Sequence, residues 1–165
     1  MPTATMMTLQ VPDLHGIDAA PDGDLIEAMR AWAQVRREVD AGLAVLAGAV
    51  AARSSLELGY DGLAQRAGAR TPDILVSKLT GTTGVEARAI TNVGTMMSNP
   101  APWLGEVATA VATGQLSVGA AAAIQTGLGS PSATVAADDL RDAAHALVTD
   151  SGSLPPEKVA RHALE

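Results

Sequence analysis

The sequence contains no cysteine and no phenylalanine, and only two tryptophans and one tyrosine among 165 residues. The first absence excludes disulfides, thiolate metal sites and cysteine nucleophiles from this chain. Scarce aromatics leave the core to Ala, Leu, Val, Ile and Met. A sheet would normally recruit more aromatic and β-branched residues, so the composition points to an all-α protein. The opening MPTATMMTLQVPDLHG lacks the cationic start and continuous apolar run of a secretory signal. The apolar run LAVLAGAVAA is about ten residues, too short to span a bilayer. The expectation is a soluble, cytoplasmic protein with no membrane partner.

What is present is ordinary globular material: 47% hydrophobic and 18% charged residues, in a length that fits one domain. The net charge of −7 is unevenly spread. Residues 1–50 and 101–165 each carry seven acids against three bases, while residues 51–100 carry five bases against four acids. The middle third is the only segment that is not acidic. An acidic chain is a poor partner for phosphate backbones, which are bound through several Lys and Arg contacts.

Residues 1–21 are punctuated by Pro, Gly and Asp and read as a loose tail. The all-helical domain spans 22–165, with a long helix over 22–53 and a helical core over 54–165. Asp22 or Asp24 is placed to cap the long helix. Along it Leu25, Met29, Trp32, Val39, Leu43, Leu46 and Val50 recur at alternating steps of four and three, with Arg36 in the vacant place. That spacing describes a heptad seam able to pair two protomers. The same stripe, widened by Ile26, Val35 and Val45, also suits a helix lying on its own domain.

Beyond Ser54–Ser55, LELGYDGLAQRAG reads as a short helix or two half-turns broken by Gly59 and Gly62 and ended by Gly68. Thr71 as N-cap, Pro72 at the first helical position and Asp73 near the positive end of the dipole open the next helix. It runs through Ile74, Leu75, Val76 and Leu79 and stops at Thr80–Gly81. Thr83-Gly-Val-Glu86 then forms a capping box for a helix over about Gly84 to Met97. Asn99–Trp103 is a rigid corner into a helix bearing Trp103, Leu104, Val107 and Val111. Ser117 caps an alanine-rich helix, and a further one over about Ala133 to Val148 carries Val135, Leu140, Ala144 and Leu147. Pro155–Pro156 open a last helix in which the sequence stops, as in a fragment of something longer. The expected architecture is one all-α domain of about seven or eight helices, with a long N-terminal helix.

The pair of helices around Gly81 has a helix-turn-helix outline. In such a motif the second helix meets base edges in the major groove. Arg70, Lys78, Thr82, Thr83 and Arg88 are the candidate DNA contacts, with Glu86 also outward and Val85, Ala89, Ile90 and Val93 inward. Arg pairs bidentately with guanine, and Thr meets a thymine methyl. Against this, Glu86 repels phosphate, and Thr80 and Thr82 sit beside the turn where apolar residues usually bury. A core hairpin is the competing reading.

Catalytic constellations are thin. His15, His145 and His162 are scattered, no pair has metal-ligand spacing, and neither a Walker-type loop nor a dinucleotide-binding turn occurs. Asp142 and Arg141 precede His145 at helical spacing and could orient it, although a surface histidine needs no such role. No cofactor or metal is expected in this chain.

The ordered blocks Arg-Thr-Pro, Leu-Thr-Gly, Glu-Ala-Arg, Pro-Trp-Leu and Gly-Gln-Leu-Ser, over residues 25–165, resemble the actinobacterial 13E12-repeat family. The likeness lies in its domain of unknown function 222. That resemblance implies an N-terminal helical region preceding an HNH endonuclease module, whose divalent metal is held by His and Asp or Asn. No residue here matches those ligands, so no catalytic residue carries over. Two functional expectations follow. One is a non-catalytic DNA-targeting or regulatory module, binding double-stranded DNA and dimerising through its long helix. The other is a protein-interaction or oligomerisation scaffold that never touches nucleic acid.

Overall fold

The computed structural model describes residues 20–151, together with Asp18 and Lys158. The expected tail therefore lies almost wholly outside the described residues, as does the expected last helix after Leu154. Seven α-helices are present among the described residues, and no strand. They are α1 (Asp22–Ala52), α2 (Leu63–Arg66), α3 (Pro72–Thr80), α4 (Gly84–Ser98), α5 (Gly105–Ala112), α6 (Val118–Leu128) and α7 (Ala137–Ser151). A 3₁₀ segment, Leu56–Asp61, joins α1 to α2 and is broken internally at Gly59, which takes φ 49°. The all-α class expected from the composition and the long N-terminal helix expected from the apolar spacing are both present.

The chain falls into two compact units, one ending at Ala33 and one beginning at Gln34, with the division inside α1. In the first unit, α1 starts at Asp22, and the carbonyl of Pro21 accepts from the amides of Asp24 and Leu25. Leu25, Ile26, Met29, Arg30 and Ala33 line a shallow apolar groove there.

The second unit is built on small residues. From α1 it buries Ala41, Ala44, Ala47 and Gly48. From α4 it buries Ala87, Ile90, Thr91, Val93, Gly94 and Met96. Gly48 and Gly94 bring the two backbones together. A Cβ at Gly48 would stand 2.4 Å from the Gly94 carbonyl oxygen, and one at Gly94 would stand 1.9 Å from that of Ala44. No side chain fits either place. Around this contact pack Val107 and Val111 of α5, Ile124 of α6, Ala144 and Leu147 of α7, and Leu116 between α5 and α6. A smaller cluster of Ala64, Ala69 and Leu75 sits under α2 and α3, with Val50 against it.

Turns follow the residues that permit them. Gly81 ends α3 at φ 70°, in the left-handed region. Gly114, at φ 69°, follows α5 and is buried against α1. Its carbonyl accepts from Arg37 Nε at 2.7 Å, and a Cβ on it would meet Gln34 Nε2 at 2.8 Å.

Several sequence expectations need correction. The last described helix begins at Ala137 rather than near Ala133, because Ser132, Thr134 and the Asp139 carboxylate organise a polar turn ahead of it. Val135 consequently lies outside that helix and is exposed. Trp103 precedes α5, which starts at Gly105. Ile74 and Leu79 are exposed, since α3 turns only Leu75 and Val76 fully inward.

The Gly48–Gly94 contact generates the first prediction. Gly94→Ala should lower unfolding free energy by about 1–3 kcal/mol, because the added methyl meets backbone rather than a side chain that can move. Gly42→Ala, in the same helix as Gly48 but facing open space, should leave stability unchanged or raise it by up to about 1 kcal/mol. Urea unfolding followed by circular dichroism measures both. Equal effects of the two substitutions would contradict the packing described.

Candidate functional site

The hairpin α3–turn–α4 is organised by hydroxyls. Thr80 Oγ1 donates back to the Val76 carbonyl at 2.8 Å and lies 2.8 Å from Thr82 Oγ1. Ser77 Oγ donates to the Thr82 carbonyl at 2.8 Å. These bonds explain why threonines occupy the positions beside the turn where an apolar pair was expected. Their polar ends are satisfied locally, so the half-buried site costs little.

At the start of α4 the capping box is complete. The Glu86 amide donates to Thr83 Oγ1 at 3.3 Å, and a Glu86 carboxylate oxygen accepts from the Thr83 amide at 3.1 Å and its hydroxyl at 3.0 Å. The Thr83 amide, then its hydroxyl, hold the Glu86 carboxyl below its ordinary value of 4.5, with a smaller contribution from Arg36. Thr71 takes the extended N-cap conformation before α3, yet its hydroxyl makes no cap bond. That Oγ1 is buried and unpartnered.

The five candidate DNA contacts are not alike in this setting. Lys78 reaches back to donate from Nζ to the Gly68 carbonyl at 2.9 Å, closing the end of α2 onto α3. Arg88 Nε lies 3.9 Å from an Asp73 carboxylate oxygen, tying the first turns of the two helices together. Thr82 and Thr83 build the turn and the cap. Of the three cations, Arg70 alone is exposed with its charged group unbonded among the described residues, while its carbonyl accepts from Gln65 Nε2. Val85, expected inward, is 81% exposed. The capping box sets the phase of α4 so that Ala87, Ile90 and Thr91 face the core instead.

Two clefts flank the hairpin. One, of about 720 Å³, is lined by Ser54, Leu56, Tyr60, Gln65, Arg70 and Thr71. The other, of about 770 Å³, lies between the first turns of α3 and α4 and holds the Asp73–Arg88 pair. Among the described residues no group of three or more His, Asp or Glu side chains is placed to hold a metal. His145, paired in the sequence reading with Asp142 and Arg141, has its ring Nδ1 2.8 Å from Glu106 on α5. Arg141 pairs with Asp138 instead. Sequence spacing cannot reveal a partner thirty-nine positions away.

The seam on α1 also divides. Leu43 packs on the main core and Val50 on the smaller cluster. Leu25 and Trp32 are partly exposed. Met29, Val39 and Leu46 are 71%, 41% and 64% exposed. The helix turns its alanine and glycine face inward, because only small side chains admit the Gly94 backbone. Part of its large apolar set is thereby left outside. The signal for this lay in residues 41–52, AGLAVLAGAVAA, where every side chain is apolar or absent on both faces.

No family model, curated protein or solved structure matches the chain. The site must therefore be read from its own geometry.

The cap supplies a prediction. Thr83→Ala should cost about 1 kcal/mol of stability at neutral pH. Because the Glu86 carboxyl is held low in the folded state, its contribution is present above the ordinary carboxylate range and lost as pH falls through the folded value. Glu86→Gln should accordingly remove part of the acid-side decline seen in the wild type. Chemical denaturation at pH 7 and near pH 3 tests this, and an unchanged acid-side slope would contradict the capping geometry.

Proposed function

We propose that this chain is a non-catalytic helical assembly module that self-associates through the outward face of α1. The observation that carries this reading is the exposed apolar surface of residues 41–52. Ala41, Ala44, Ala47 and Gly48 are buried, while Val45 and Leu46 on the other side are 53% and 64% exposed, with Gly42 and Ala49 between them. A solvated helix face normally carries charge, and three turns without a polar side chain mark an interaction surface. Burying a Leu side chain fully contributes about 1.5–3 kcal/mol, and a symmetric pair contributes it twice.

The DNA-targeting reading has less support. Two of its three cations are engaged within the chain, by the Gly68 carbonyl and by Asp73. Glu86 stands at the exposed start of the would-be recognition helix, whose opposite side is part of the core. In the setting that the 13E12 resemblance implies, an assembly module of this kind would hold two copies of a following catalytic module together.

Leu46→Glu should leave the helical circular dichroism intact while shifting sedimentation equilibrium toward monomer, weakening dimerisation by at least about tenfold, or 1.4 kcal/mol. A wild-type chain that is monomeric at high micromolar concentration would refute the proposal. Titration of labelled duplex at low salt tests the other reading. Binding that an Arg70/Lys78/Arg88 triple alanine variant loses would favour DNA targeting over assembly.

A further inference from the structure

The outward face of α1 also carries information about what covers it. Its charge-free stretch is bounded by Glu38 on one side and Arg53 on the other, both exposed. The Arg53 amide still bonds to the Ala49 carbonyl at 3.2 Å, so Arg53 continues the helical ladder. Its guanidinium has no carboxylate partner among the described residues. At 100° per residue, Gly42 and Ala49 fall on the midline of this face, with Val45 and Leu46 on either side of it.

Gly42 is the telling residue. It sits in the interior of a long helix, where glycine costs about 1 kcal/mol relative to alanine. Gly48 and Gly94 are compensated by backbone contact, but a Cβ on Gly42 would meet nothing within 4 Å. The folded chain alone gives no reason for its being bare. A second helix laid closely on this face would, since small residues allow axes to approach to about 8 Å.

We infer that the occupant is a second copy of this chain, with its α1 running antiparallel about a two-fold axis between Val45 and Leu46. This rests on the self-association proposed above and adds its geometry. In that register Gly42 lies on the partner's Ala49, small residue against small residue, at both ends of the apolar stretch. Val45 and Leu46 face their own copies at the axis. Glu38 comes level with the partner's Arg53, giving two opposite-charge pairs that bracket the apolar stretch. A parallel pairing would instead set Glu38 level with Glu38 and Arg53 level with Arg53, with helix dipoles aligned. Like charges at an interface select against that arrangement.

The cysteine-free chain makes the test direct. Single variants Glu38→Cys and Arg53→Cys are treated with a short bismaleimide, separately and mixed. The expected result is cross-linked dimer in the mixture and little in either alone, because identical positions would lie about 22 Å apart along the helix. A second variant, Gly42→Leu, should match the wild-type melting temperature at a concentration where both are monomeric, since the site is open within one chain, yet weaken the dimer by at least about tenfold. Cross-linking of each cysteine variant to itself would show a parallel pair and overturn the inference. So would a dimer by sedimentation that cross-links in none of the three samples. Both results leave the self-association standing. A wild-type monomer overturns the inference and the self-association together, and flotation of that monomer with phospholipid vesicles would identify the occupant of the face as a membrane surface.

Discussion

The contact of Gly48 with Gly94 constrains everything else in the second unit. Two helix backbones meet where neither can carry a side chain, and this fixes which face of α1 turns inward. Once the small face is committed, the larger apolar residues of the same helix have nowhere to go but the core's margin or solvent. Leu43 and Val50 find the margin, and Val39, Val45 and Leu46 do not. The exposed face is thus a consequence of how the core is packed.

The low aromatic content belongs to this logic. A core of Ala, Val and Gly gains little area per residue, so it must gain through close approach and number of contacts. Short helices anchored by hydroxyl bonds, a complete capping box at Thr83 and the Arg37–Gly114 bond supply the geometry that makes such packing specific. The hairpin of α3 and α4 fits this account as a structural corner. Lys78 and Arg88, whose charge suggested phosphate contacts, bind the Gly68 carbonyl ahead of α3 and the Asp73 carboxylate at its start.

Much of the architecture was legible in the sequence. The all-α class came from scarce aromatics, the start of α4 from Thr83 and Glu86, the end of α3 from Gly81, and the break in the 3₁₀ segment from Gly59. These are local signals, set by a residue's own backbone preference or by a partner a few positions away. What sequence spacing could not supply was phase against distant elements. The heptad pattern marked Leu43 and Leu46 alike, yet one packs on the core and the other faces solvent. That difference depends on Gly94, nearly fifty positions away. Val85 was read inward for the same reason, and the pairing of His145 with Glu106 was invisible. For the candidate site residues, the sequence supplied the side-chain type and left its partner out of reach.

The central claim, that the outward face of α1 is covered by another copy, can be read most directly from hydrogen–deuterium exchange over residues 41–52 at increasing protein concentration. Exchange there should slow as concentration rises, with the amides of α7 unaffected. Exchange that is independent of concentration across the whole of α1 would contradict it.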